Sequence, residues 1–151
     1  MKRWKGFCAK TIDMDDLADR KAKAAEKWAY YRECNPKKRK KLSDHEFAFR
    51  IDDIGAGWEY VHFELDGKTV SSFRISYIGP DVRAFVECVT ALKEKDFDDF
   101  VFLDEPGEHH VLLSRRQEKI YVELPGMEDG FFLRYDVFAE KILESINYEK
   151  P

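Results

Sequence analysis

The sequence predicts a single α+β domain: an antiparallel sheet, helices packed on one of its faces, and an added basic helix at the N-terminus. Three observations predict it. Residues 58–66 and 68–77 alternate apolar and polar positions around Asp66-Gly67, a two-residue hairpin signal. Val82, Phe85, Val86, Val89 and Leu92 then recur at helical spacing. The same order, strands and then a helix, returns between residue 100 and the C-terminus.

Composition fits this class. A chain of 151 residues with 44% hydrophobic and 15% aromatic residues can bury one good core. No apolar run approaches the ~20 residues that a membrane helix needs. Residues 1–16 are positively charged but lack a continuous apolar stretch, so neither a signal peptide nor a membrane partner is expected. Cys8, Cys34 and Cys88 are widely spaced, with no CxxC pair. Thiols in a reducing cytoplasm are expected, rather than a disulfide framework.

Charge is divided along the chain. Residues 1–43 carry 14 Lys/Arg and 6 Asp/Glu, a net of +8. Residues 44–151 carry 12 and 24, a net of −12. The single domain, 1–151, thus reads as a basic helical extension (1–43) on an acidic α+β body (44–151). Such asymmetry points to mutual attraction or to separate partners.

Taken in order, residues 2–12 suit an edge strand or an arm. Asp13 is a plausible N-cap for a helix reaching Glu33, with Met14, Leu17, Ala18, Ala25, Trp28 and Tyr31 near one face. Asn35-Pro36 ends that helix, because a residue before proline avoids the helical region. The basic run 37–41 reads as a solvated connector or a strip lying against the acidic body. Its lysines do not alternate with aromatic residues, so nucleic-acid binding is the weakest reading. Residues 47–53 begin a sheet, and residues 54–57 turn the chain. That turn lacks both GxGxxG and a following Gly-Lys-Ser/Thr, so no phosphate loop and no cofactor is expected. Gly79-Pro80 breaks the next strand, and Asp81 can cap a helix over residues 82–95. Strands follow at 100–103, 110–115 and 119–124, with a short one at 131–135. Asp136 starts a last helix with the stripe Phe138, Ala139, Ile142, Leu143 and Ile146.

The densest set of chemically capable side chains is Asp104, Glu105, Glu108, His109 and His110. Pro106 and Gly107 suit positions i+1 and i+2 of a type II turn between them. As neighbours on a strand, His109 and His110 point to opposite faces, so they cannot share one metal ion. Glu105 and Glu108 with His109 could meet a divalent ion across the turn, which gives one alternative: a small metal-dependent hydrolase. A solvated loop and a partner-binding loop are the others. No GxSxG elbow is present, and paired carboxylates such as Asp98-Asp99 and Glu128-Asp129 read as surface charge. His62 reads as a structural histidine near Trp58 and Tyr60. If several acidic turns share one end of the sheet, they form a negative patch that steers a basic partner.

The segment from Arg74 to Leu124 resembles a group of small bacterial proteins, and the resemblance covers roughly residues 58–146. In that group a strand ending in Ser-Tyr-hydrophobic-Gly leads to a helix, then to a strand ending in Asp/Glu-Glu-Pro-Gly-Glu. Here the motifs are Ser76-Tyr77-Ile78-Gly79 and Asp104-Glu105-Pro106-Gly107-Glu108. The group is similar to the immunity-type proteins encoded beside secreted bacterial toxins. The resemblance implies a fold and a toxin-like partner, and it brings no catalytic residues. The expectation is therefore a non-catalytic binding module that meets a basic protein surface through Asp104, Glu105, Glu108, His109 and His110. Homodimerisation follows if the basic helix docks on a second subunit.

Overall fold

Local turn chemistry at residues 55–57 and 66–67, all with positive φ, sets the hairpins of the first sheet. In the computed structural model the described residues are 3–5, 9–11, 14–76, 81–104 and 107–147. Cys8, the expected cap Asp13, Tyr77 to Pro80, Glu105, Pro106 and the tail from residue 148 lie outside them. A small antiparallel pair, β1 (Arg3–Lys5) and β2 (Ala9–Thr11), precedes the long helix α1 (Met14–Glu33).

A second helix then begins where only a connector was expected. Asn35 caps α2 (Pro36–Ser43), its side chain accepting from the Lys38 amide at 2.8 Å. Proline at the first helical position lacks only an N–H that would have no partner there. The same dipeptide that stops α1 therefore starts α2, and the basic run is helical.

Next comes a three-stranded meander: β3 (Phe47–Gly55), β4 (Trp58–Leu65) and β5 (Lys68–Ser76), in that spatial order. Residues 47–53 thus pair within the first hairpin. Asp66 and Gly67 both have positive φ, 54° and 82°, as a type I′ hairpin turn requires. Asp81 caps α3 (Val82–Ala91), accepting from the Ala84 amide at 3.0 Å. A four-stranded antiparallel sheet follows in simple order: β6 (Phe97–Asp104), β7 (Gly107–Arg116), β8 (Lys119–Glu123) and β9 (Phe131–Arg134). The last helix is α4 (Tyr135–Asn147).

The strands form two main sheets rather than one, and a shared core joins them. Val61, Phe63, Phe73 and Ile75 of the first sheet meet Phe102, Val111, Leu113, Ile120, Val122 and Leu133 of the second. Helices α3 and α4 close this core with Phe85, Val89, Phe138 and Ile142. Leu143 falls off the expected stripe and is half exposed.

The basic helix α1 packs on the opposite face of the four-stranded sheet. Ala24, Trp28 and Tyr31 bury against Leu112, Tyr121 and Phe132. The spacing 24, 28, 31 replaces the expected face through Ala18 and Ala25, both of which are exposed. The extension therefore docks on its own chain, on the sheet face left open by α3 and α4.

Candidate functional site at the hairpin of β6 and β7

The expected turn lies between β6 and β7, in a different register from the one the sequence suggests. Asp104 pairs with Gly107, so Gly107 is already a strand residue. The type II assignment with Gly107 at i+2 is corrected accordingly. Strand β7 starts three residues earlier than expected, which puts Glu108, His109 and His110 inside the ladder.

Strand alternation then divides these side chains between two faces. His109 turns toward the first sheet, where its ring stacks on Phe73 at 4.4 Å between centroids. Its Nε2 lies 3.4 Å from Asp104 Oδ2, and Asp104 Oδ1 accepts from Arg74 Nε at 2.9 Å. Glu108 and His110 turn toward α1. There His110 Nδ1 lies 3.0 Å from Asp99 Oδ2, and its Nε2 lies 3.1 Å from Glu108 Oε1. Arg20 of α1 completes the row, its Nη2 donating to Asp99 Oδ1 at 2.8 Å.

Asp99 is the centre of that row, although its place beside Asp98 suggested a solvated turn. Its side chain is only 1% exposed. A buried carboxylate is costly unless paired. Here one oxygen meets a guanidinium and the other an imidazole. The hydrogen bond to Asp99 is the main cause that raises the His110 pKa above its usual value, with Glu108 adding to it and burial opposing. Both ring nitrogens face carboxylates, the arrangement that suits a doubly protonated imidazolium.

This geometry removes the basis for one ion held by Glu105, Glu108 and His109. Glu108 and His109 point to opposite faces, and Glu105 lies outside the described residues. Among the described residues no group of three or more His, Cys, Asp or Glu side chains is arranged to hold a metal. The expected acidic patch is also reduced by pairing. Asp98 meets Lys95, Asp99 meets Arg20, Asp104 meets Arg74, and Asp129 meets Lys27.

A second polar row was missed by sequence reasoning. On the outer face of the first sheet, Ser72 Oγ lies 2.8 Å from His62 Nδ1, and His62 Nε2 lies 2.9 Å from Asp52 Oδ2. Tyr60 stacks on the His62 ring at 5.1 Å. The order of groups is that of a nucleophile, a base and an acid. Asp52, however, is half exposed and is shared with Arg50 at 3.3 Å, so its charge also serves a guanidinium. The row joins β3, β4 and β5 as a cross-strand polar ladder.

One cleft gathers carboxylates with no basic side chain among its described lining residues. It lies at the tip of the β3–β4 hairpin, encloses about 350 Å³, and is lined by Asp53, Trp58, Glu59, Ser76 and Asp81 with the turn 55–57. Arg74 lies over the Trp58 ring, 4.4 Å from its centroid.

The fold and these sites define an α+β domain with an acidic hairpin tip and a basic helix folded back on its own sheet. No protein-family model, no curated protein and no solved structure matches this chain. No helix among the described residues is long and apolar enough to cross a membrane.

Proposed function

We propose that this protein is a non-catalytic binding module, an immunity-type inhibitor that receives a basic surface of a toxin. The observation that carries the reading is the cleft at the β3–β4 tip, where Asp53, Glu59 and Asp81 converge beside Trp58. A lysine or arginine side chain of a partner finds carboxylates there, beside a Trp58 ring that Arg74 already covers on one face. With the basic extension docked, the folded chain carries a net of −4, so the carboxylates gathered at the tip set the local field that a basic partner meets. The site proposed from the sequence, Asp104 to His110, supports the reading less directly, because Asp104, Glu108 and His110 are held in side-chain ion pairs, whereas Asp53 and Asp81 accept from the backbone amides of Gly55 and Ala84 and keep their charge.

The test is whether the gene beside this one encodes a secreted toxin, and whether that product associates with this protein, followed by stopped flow at low and physiological salt. The reading expects a complex whose association slows at the higher salt. Asp53→Lys combined with Glu59→Lys should slow it at least tenfold, while Glu128→Lys leaves it near wild type. Absence of a complex, or a rate indifferent to both salt and charge reversal, overturns it.

A further inference from the structure

The outer edge of β3 has no ladder partner among the described residues, since the first sheet runs β3-β4-β5 with β3 at its end. Its regular part, from Phe47 to Asp53, offers roughly 23 Å of unpaired backbone at about 3.3 Å per residue. A groove of about 770 Å³ runs beside it, lined by residues 48–53 in unbroken succession, with Ser145 of α4, Glu59 and Glu64. An open edge of this length is a template for another strand.

We infer that the strand it takes is β3 of a second copy, paired antiparallel about a twofold axis at Ile51. The argument is self-complementarity. Arg50 and Asp52 stand two residues apart, on the same face of the strand and on either side of Ile51. A twofold axis at Ile51 sets Arg50 opposite the partner's Asp52, and Asp52 opposite the partner's Arg50. The neighbouring in-phase registers fail. An axis at Arg50 opposes two arginines, and an axis at Asp52 opposes two aspartates, which is destabilising. A one-residue slip turns the strand over and exposes its apolar face.

The apolar positions follow the same axis. Ile51 packs at the margin of the main core and meets the partner's Ile51, so the two cores adjoin. Ile54, 52% exposed, lies at the irregularity between Asp53 and Gly55, beyond the part of the strand that the axis pairs. Edge strands that avoid association carry lysines, proline or a bulge, and the irregularity of β3 is confined to its far end, between Asp53 and Gly55. This one carries opposite charges spaced to match themselves. Arg50 already reaches Asp52 at 3.3 Å and Glu64 at 3.6 Å, while remaining half exposed. A guanidinium has five donors, enough to add a cross-strand carboxylate. The result is a continuous six-stranded sheet, and it stands whether or not the proposed toxin partner is right.

Sedimentation velocity of the full chain over a concentration series tests it. The wild type is expected at twice 17.8 kDa, dissociating on dilution. Arg50→Asp alone and Asp52→Arg alone should each halve the mass. Mixing these two variants restores the dimer, because each Arg–Asp pair is then re-formed between unlike copies. The double variant Arg50→Asp/Asp52→Arg is a dimer by itself. A wild type that stays at 17.8 kDa at every concentration overturns the proposal. A dimer that survives both single substitutions overturns the register and the edge with it.

Discussion

The indole Nε1 of Trp28 donates to Ser114 Oγ across 2.9 Å in a buried seam. One residue belongs to the basic helix and the other to β7, 86 positions away in sequence. Around this bond Trp28 packs edge-on against Tyr31 and Phe132, with centroids at 5.7 and 5.0 Å. The seam has both an aromatic part and a polar pin, and substitutions separate them. Trp28→Ala removes both and should cost about 3–5 kcal/mol. Ser114→Ala leaves the indole N–H buried without its acceptor and should cost about 1–3 kcal/mol. Urea unfolding checks the ranking; equal midpoints for wild type and Trp28→Ala would mean that α1 does not dock.

The Arg20–Asp99–His110 row makes stability depend on pH. His110 has a folded pKa raised above the unfolded value of 6.5, chiefly by its bond to Asp99. The imidazolium contribution is therefore complete below the unfolded pKa and is lost as pH rises through the folded one. Melting temperature should fall across that interval, and His110→Gln should flatten the fall. Asp66 and Asp129 act in a separate window. Their pKa values are lowered, Asp66 first by the Glu46 amide and then by His45, Asp129 by Lys27. Their contributions are present above the unfolded carboxylate pKa and disappear in acid. A profile unchanged in His110→Gln near neutral pH would show that the row carries no such linkage.

Strand periods, the Asp66-Gly67 turn and the Asp81 cap were legible because each is a local signal. The Trp28 seam was only half legible. Helical composition marked α1, but the sheet face decides which of its residues are buried, and that face is assembled from four later strands. Asp98-Asp99 looked like a turn because two adjacent acids usually are. Burial of Asp99 depends on Arg20, 79 residues away. The Ser72–His62–Asp52 row shows the same limit in register. Counting outward from the Asp66-Gly67 turn pairs His62 with Ser71. A shift between Phe63 and Glu64 instead pairs it with Ser72, which lies on the outer face.

Cys88 is expected to be an inert thiol. Burial raises its pKa above the ordinary thiol value, and the neighbouring Asp98 raises it further, its carboxylate accepting from Sγ at 3.2 Å. The thiolate is the reactive form, so native Cys88 should resist iodoacetamide at pH 8. Cys34 should be modified first, and Cys88 should follow only on unfolding, as read by peptide mass spectrometry. Asp98→Asn removes the negative neighbour and should speed native labelling of Cys88. Rapid modification of native Cys88, which is half-buried, would show that the Asp98 carboxylate does not suppress its thiolate.

Gly130 matters through space and Gly126 through conformation, which gives a paired test. A Cβ at Gly130 would overlap the Val122 carbonyl oxygen and lie 2.7 Å from Tyr121 Cζ and 2.8 Å from Glu123 Cγ. Two of these neighbours are backbone or a ring that cannot yield. The Gly130 amide also donates to Tyr121 Oη at 3.2 Å, and that hydroxyl donates to Glu123 at 2.6 Å. Tyr121 is 1% exposed and supports Phe132, which in turn carries Trp28. Gly130→Ala should therefore cost about 3 kcal/mol by overpacking, and it should shift Trp28 fluorescence because the seam moves. Gly126 has φ of 85° with nothing near its missing Cβ. Gly126→Ala should cost only about 1 kcal/mol, through backbone strain, and leave Trp28 emission unchanged. Urea midpoints and emission spectra of the two variants, each in a Trp4→Phe/Trp58→Phe background so that Trp28 alone emits, decide it. Equal costs with identical spectra would break the link drawn from Gly130 through Tyr121 to the docked helix.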